Sequence, residues 1–80
     1  MRKSIFTPEQ EKLQTLLRQI RLDAGLSQIE LAQRLGLAQS FISKYEQGER
    51  RLDLLELRQI CQVVGMSLEE FVRKFEDSLK

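Results

Sequence analysis

Three of the four glycines occur in one recurring phrase. Ala24-Gly25-Leu26-Ser27, Leu35-Gly36-Leu37-Ala38 and Val64-Gly65-Met66-Ser67 each read apolar or small, Gly, apolar, small. A helix that ends this way turns at once into another. Glycine takes the left-handed position past the helix end at no steric cost, and the next apolar residue folds back over the finished turn. The small residue after it caps a new helix. Ser27 with Glu30 and Ser67 with Glu70 are full capping boxes, as is Asp53 with Glu56 after a looser loop from Gly48 to Leu52. Ala38 has no side-chain acceptor, so its cap is expected to be weaker by about 1 kcal/mol than a Ser cap.

These punctuation marks divide the chain into five helices, expected over residues 7–24, 28–35, 39–47, 54–64 and 68–77. The first opens on Thr7-Pro8-Glu9-Gln10, with Thr7 as cap, Pro8 at the first helical position and Gln10 three residues after the cap. Leu13, Leu16, Leu17, Ile20 and Ala24 then form one apolar stripe. A second stripe runs through Leu54, Leu57, Ile60, Cys61 and Val64, which makes Cys61 a small buried hydrophobe. Alternating strand patterns are absent. The expected fold is all-α, a compact five-helix bundle with a central helix-turn-helix, in one domain over residues 1–80. Residues 1–6 and 78–80 are expected as loose ends.

Composition closes off several chemistries. With no histidine and a single cysteine, the chain lacks an intrachain disulfide, an ordinary zinc site and any imidazole-based catalysis. No metal, cofactor or small-molecule ligand is expected, and no enzymatic activity. A lone thiol fits a reducing cytoplasm. No apolar run approaches the roughly 18 residues of a membrane span, and the N-terminus does not read as a signal peptide. Charge is unevenly spread: nine Lys/Arg face six Asp/Glu over residues 1–51, and four face six over residues 52–80. Only the first half is suited to an anionic partner.

The second and third helices form the informative pair, two short helices joined by Gly36-Leu37-Ala38. Small Ala32 allows a close crossing, and Leu31, Leu35, Leu37, Ile42 and Tyr45 are apolar where the pair must bury surface. At about 100° per residue, Phe41, Ile42 and Tyr45 fall on one side of the third helix. Gln39, Ser40, Ser43, Lys44 and Gln47 fall on the other. This outer face has amides, hydroxyls and one cation, and no carboxylate to repel a phosphate. Gln pairs with adenine N6/N7, Lys reaches guanine O6/N7 and Ser serves either base. Phe41 could pack beside Tyr45, touch a thymine methyl or lie against the sugar-phosphate chain.

The run Leu26-Ser27-Gln28-Ile29-Glu30-Leu31-Ala32, through Gly36, to Ile42-Ser43-Lys44-Tyr45-Glu46-Gln47-Gly48 resembles the lambdoid phage repressor (XRE-type) helix-turn-helix family. The resemblance extends over about residues 13–72. It implies a double-stranded DNA partner, with the helix over residues 39–47 in the major groove and Gln39, Ser40, Ser43 and Lys44 at base edges. It implies backbone contacts from Ser27, Gln28, Gln47, Arg50 and Arg51, and a structural ion pair between Arg21 and Glu46. One such module should bind weakly, so a homodimer on a palindromic operator is expected, acting as a repressor. Leu52, Leu55, Phe71, Phe75 and Leu79 are the candidate dimer surface. Arg2 and Lys3 read as a loose tail rather than a minor-groove arm. The alternative is a protein-interaction module or antitoxin-like partner on the same fold, which would favour an apolar or acidic third helix.

Overall fold

The computed structural model describes residues 7–80. The chain forms α1 (Pro8–Asp23), α2 (Gln28–Leu35), α3 (Gln39–Glu46), α4 (Leu54–Val64) and α5 (Leu68–Ser78). No strand occurs among the described residues. Each boundary is set by local chemistry. Thr7 Oγ1 accepts from the Gln10 amide at 3.1 Å to open α1. The boxes at Ser27, Asp53 and Ser67 close in both directions. At α2, for example, Ser27 Oγ accepts from Glu30 N at 3.0 Å while Glu30 Oε1 accepts from Ser27 N at 2.8 Å. Ala38 makes no side-chain cap bond, so α3 starts on backbone geometry alone.

The helix ends repeat one device. All four glycines have φ between +72° and +83°. Gly48, expected in a looser loop, ends α3 as the other three end their helices: Gly48 N donates to Tyr45 O and Glu49 N to Lys44 O, at 3.3 and 2.8 Å. Four expected bounds shift by one residue, both ends of α1 and the ends of α3 and α5. Gln47 is the C-cap of α3 rather than part of it. At the chain end α5 includes Ser78, and Leu79 N and Lys80 N donate back to Glu76 O and Asp77 O at 3.1 and 3.3 Å. The expectation for residues 1–6, with Arg2 and Lys3, lies outside the described residues.

The core is assembled from all five helices. Leu17 and Ile20 come from α1, Leu31 and Ala32 from α2, Ile42 and Tyr45 from α3, Ile60 and Cys61 from α4, and Phe71 from α5, with Leu26 from the first turn. The pair α2 and α3 packs most extensively, α1 packs on α3 and α5, and α4 packs on α2 and α5. This holds α3 between α1 and α2 with one side turned out. Burial pushes the Cys61 thiol above its ordinary value, which leaves it protonated and inert.

Three apolar residues sit elsewhere than the pattern suggests. Phe71, a candidate for the dimer surface, is 2% exposed and belongs to the core. The reason is phase: Leu68, Phe71 and Phe75 share the inward stripe of α5, and Val72, one step round, faces out at 46%. Phe75 and Leu52 are half-buried and pack on the core, and Leu79 is half-buried. Leu54 is exposed, because it lies in the first turn of α4 at the rim of that helix's stripe. Leu37 is also exposed, since the whole turn from Gly36 to Gln39 lies at the molecular edge.

Candidate nucleic-acid interface

The outer side of α3 is set by which of its residues the core claims. Ile42 and Tyr45 are at most 1% exposed, so the positions opposite them must point away. Gln39, Ser40, Lys44 and Gln47 are exposed and Ser43 is half-buried at the edge. These are the five residues read from the sequence as one face. The only acid of α3, Glu46, is turned inward with a side chain 4% exposed.

Glu46 is the hub of a polar network that ties three helices. Arg21 of α1 approaches it in a fork, Nε to Oε2 at 2.7 Å and Nη2 to Oε1 at 3.0 Å. The third arm of the guanidinium donates to Leu26 O at 2.9 Å. The carboxylate raises the Arg21 pKa above its ordinary value despite burial. Gln28 Nε2 of α2 donates to the same Glu46 Oε1 at 3.1 Å. Gln28 Oε1 in turn accepts from Gln39 Nε2 at 3.2 Å. The chain therefore runs Arg21, Glu46, Gln28, Gln39, from the buried edge of α1 to the first residue of the exposed face. Gln39 enters it through one N–H only, which leaves its carbonyl oxygen and second N–H for a partner outside.

A second cluster is built around Phe41 and Tyr45 of α3. Phe41 is half-buried and meets Tyr45 edge-on, with ring centroids 5.7 Å apart. The Arg50 guanidinium stacks on the Phe41 ring at 4.3 Å. Arg50 also forks onto Glu56, at 3.1 and 2.9 Å, and donates to Arg51 O at 2.6 Å. Phe41 thus packs between Tyr45 and Arg50. The fork onto Glu56 gives Arg50 a local carboxylate partner, whereas Arg51 projects into solvent. Ser27, at the start of α2, is exposed beside Gln28 with its hydroxyl spent on the cap.

Nothing in the sequence marks Gln14, Phe41–Arg50 stacking or the Arg50–Glu56 pair as parts of this region. The one signal for Gln14 is its place seven residues before Arg21, on the same side of α1. Gln14 Nε2 donates to Glu46 O at 3.3 Å. No helix of the described residues is long and apolar enough to cross a membrane.

Comparisons with known proteins agree with this geometry. A helix-turn-helix family model matches residues 17–71. Over 59 residues the chain is 30% identical to y4dJ of Sinorhizobium fredii, an uncharacterized HTH-type transcriptional regulator, covering 74% of this chain and 77% of that protein. An XRE-family-like protein from Pseudomonas syringae superposes with a TM-score of 0.84 at 40% identity, covering 98% of this chain and 95% of the other. A restriction-modification controller protein, solved as a tetramer in complex with its natural 35 base-pair operator, superposes with a TM-score of 0.81 at 27% identity. That match covers 92% of this chain and 99% of the controller.

Proposed function

Because the chain belongs to the XRE-type helix-turn-helix family of DNA-binding transcriptional regulators, we propose that it binds a palindromic operator as a homodimer and represses by covering a promoter. The reading rests on one observation above all: α3 and its C-cap turn outward Gln39, Ser40, Lys44 and Gln47, with Ser43 half-buried at the edge of that face and no carboxylate on it. The major groove of B-form DNA admits a helix, and its base edges display the donors and acceptors these side chains match. Gln39, Ser40, Ser43 and Lys44 read bases. Gln39 is held ready for adenine by Gln28, so less side-chain freedom is lost on binding.

Phosphate contacts then fix the register without reading sequence. The amides at the start of α2, beside Ser27 and Gln28, suit an anion. Gln47 and Arg51 flank the other end of α3. Arg50 reaches a phosphate only by loosening its hold on Glu56, so Arg51 carries more of that role. So few cations imply weak binding by one copy, and a dimer places two α3 helices about one helical turn apart. The exposed apolar residues Leu54 and Leu55 of α4 and Val72 of α5 suit the dimer contact. The controller protein assembled on its operator supports paired copies.

Selection of bound duplexes from a random pool tests the proposal. Recovery of an inverted repeat with half-sites about 10 bp apart is the expected outcome. Recovery of no sequence preference, or of a single unrepeated site, would overturn it.

A further inference from the structure

The end of the recognition helix is fixed by a side chain from α1. A helix leaves its last four carbonyls without helical partners. In α3, Ser43 O, Tyr45 O and Lys44 O are met by the amides of Gln47, Gly48 and Glu49, at 3.0, 3.3 and 2.8 Å. The fourth, Glu46 O, is met instead by Gln14 Nε2 at 3.3 Å. The same amide lies flat over Gly48. A Cβ placed on Gly48 would sit 2.6 Å from Gln14 Oε1, 2.8 Å from Cδ and 3.0 Å from Nε2. Gly48 is buried and has φ +80°. Hydrogen bonding and close packing therefore converge on one side chain. Among the described helices, α3 alone also lacks a side-chain cap at its start.

We propose that Gln14 is a positioning residue for DNA recognition: it completes the carbonyl end of α3 and, with Arg21 seven residues along the same face, sets the angle at which Gln39 to Lys44 meet the groove. Arg21 holds the Glu46 side chain and Gln14 holds the Glu46 main chain, so one residue of α3 is gripped twice from α1. Gln14 acts through α3 and touches no base. Its loss should lower the preference for the right sequence more than the affinity for DNA in general. This rests on the DNA-binding reading above.

The test uses two variants of the full chain. Gln14→Ala removes bond and packing. Gln14→Met keeps a side chain of similar length over Gly48 but cannot donate. Binding is measured to the duplex that wild-type protein selects from a random pool, and to a shuffled duplex of the same length and composition. Both variants are expected to lose about tenfold on the selected duplex, the scale of one hydrogen bond, and less than about twofold on the shuffled one. Without DNA, amide exchange at Gln47, Gly48 and Glu49 is expected to rise about tenfold in both variants, with Ile60 and Phe71 unchanged. Equal losses on both duplexes would make Gln14 a phosphate contact and overturn the positioning role. A uniform rise in exchange, or no rise at Gln47 to Glu49, would overturn it as well. If wild-type protein selects no sequence, the DNA-binding reading fails, and the exchange experiment still decides whether Gln14 fixes the end of α3.

Discussion

Two polar side chains in the interior have opposite standing. Tyr45 is 1% exposed, and its hydroxyl has no hydrogen-bond partner among the described residues. Burial pushes the phenol far above its ordinary pKa, so it remains neutral and contributes through its ring. Tyr45→Phe removes a desolvated group that makes no bond, and is expected to leave stability unchanged or raise it by up to about 1 kcal/mol in urea unfolding. A loss greater than about 1 kcal/mol would show that the hydroxyl is bonded in solution. Glu46 is the reverse case. Its carboxylate satisfies Arg21 and Gln28 together, in a pair with side chains only 8% and 4% exposed. Glu46→Ala strands a buried guanidinium and is expected to cost about 3 kcal/mol or more by the same measurement. The Arg50–Glu56 pair is 38% and 27% exposed, so solvent screens it and Glu56→Gln should leave the urea midpoint nearly unchanged.

At the scale of the helices, stability depends on how each one begins. α3 has no side-chain cap, although its N-cap position already has the extended backbone, φ −75° and ψ 150°, that a capping serine needs. Ala38→Ser is expected to stabilise the protein by about 1 kcal/mol, a rise in Tm of about 4–8 °C for a chain of this size, read from a thermal melt. The capping boxes also make stability depend on pH. The Ser27 amide holds the Glu30 carboxylate below the ordinary value, the Ser67 amide does the same for Glu70, and Arg50 leads the same effect on Glu56. A lowered folded pKa stabilises above the ordinary carboxylate value of about 4.3 and is lost as pH falls through the lowered value. Glutamine keeps a capping box but carries no charge. Between about pH 6 and pH 3, Tm of a Glu30→Gln, Glu70→Gln variant is therefore expected to fall less than that of the wild type. Parallel curves would mean that these carboxylates contribute nothing to acid unfolding.

The molecule as a whole is polarised. Its outward polar face is built on α3, and its two most exposed leucines, Leu54 and Leu55, stand at the start of α4, with Val72 exposed on α5. Arg50 connects the two regions, stacked on Phe41 of α3 and forked onto Glu56 of α4. If the leucines join two copies, Leu55→Lys should convert dimer to monomer in sedimentation at tens of micromolar while leaving the helical circular dichroism intact. A dimer that persists would place the contact elsewhere. Arg51→Ala tests the electrostatic side of the same surface. It should weaken binding to all duplexes alike and reduce the slope of log affinity against log salt by about one unit.

The helix count, their order and most of their bounds were legible in the sequence because caps and glycine stops act within four or five residues. The outward face of α3 was legible for a related reason: a single helix has one period, and Ile42 and Tyr45 fix its phase. The grouping of Arg21 with Glu46 came from the family resemblance, and local spacing could not have supplied a contact 25 residues apart. What only the tertiary structure decided is which residue of one helix meets which of another. Phe71 went to the core while Val72 stayed outside, Arg50 turned to Glu56 and Phe41, and Gln14 closed the end of α3. Those outcomes depend on crossing angles and on a few ångströms of approach between segments, such as the bare backbone of Gly48 under Gln14. Helical periodicity specifies a direction around each axis, and the distance to a neighbour is set only when all five helices share one core.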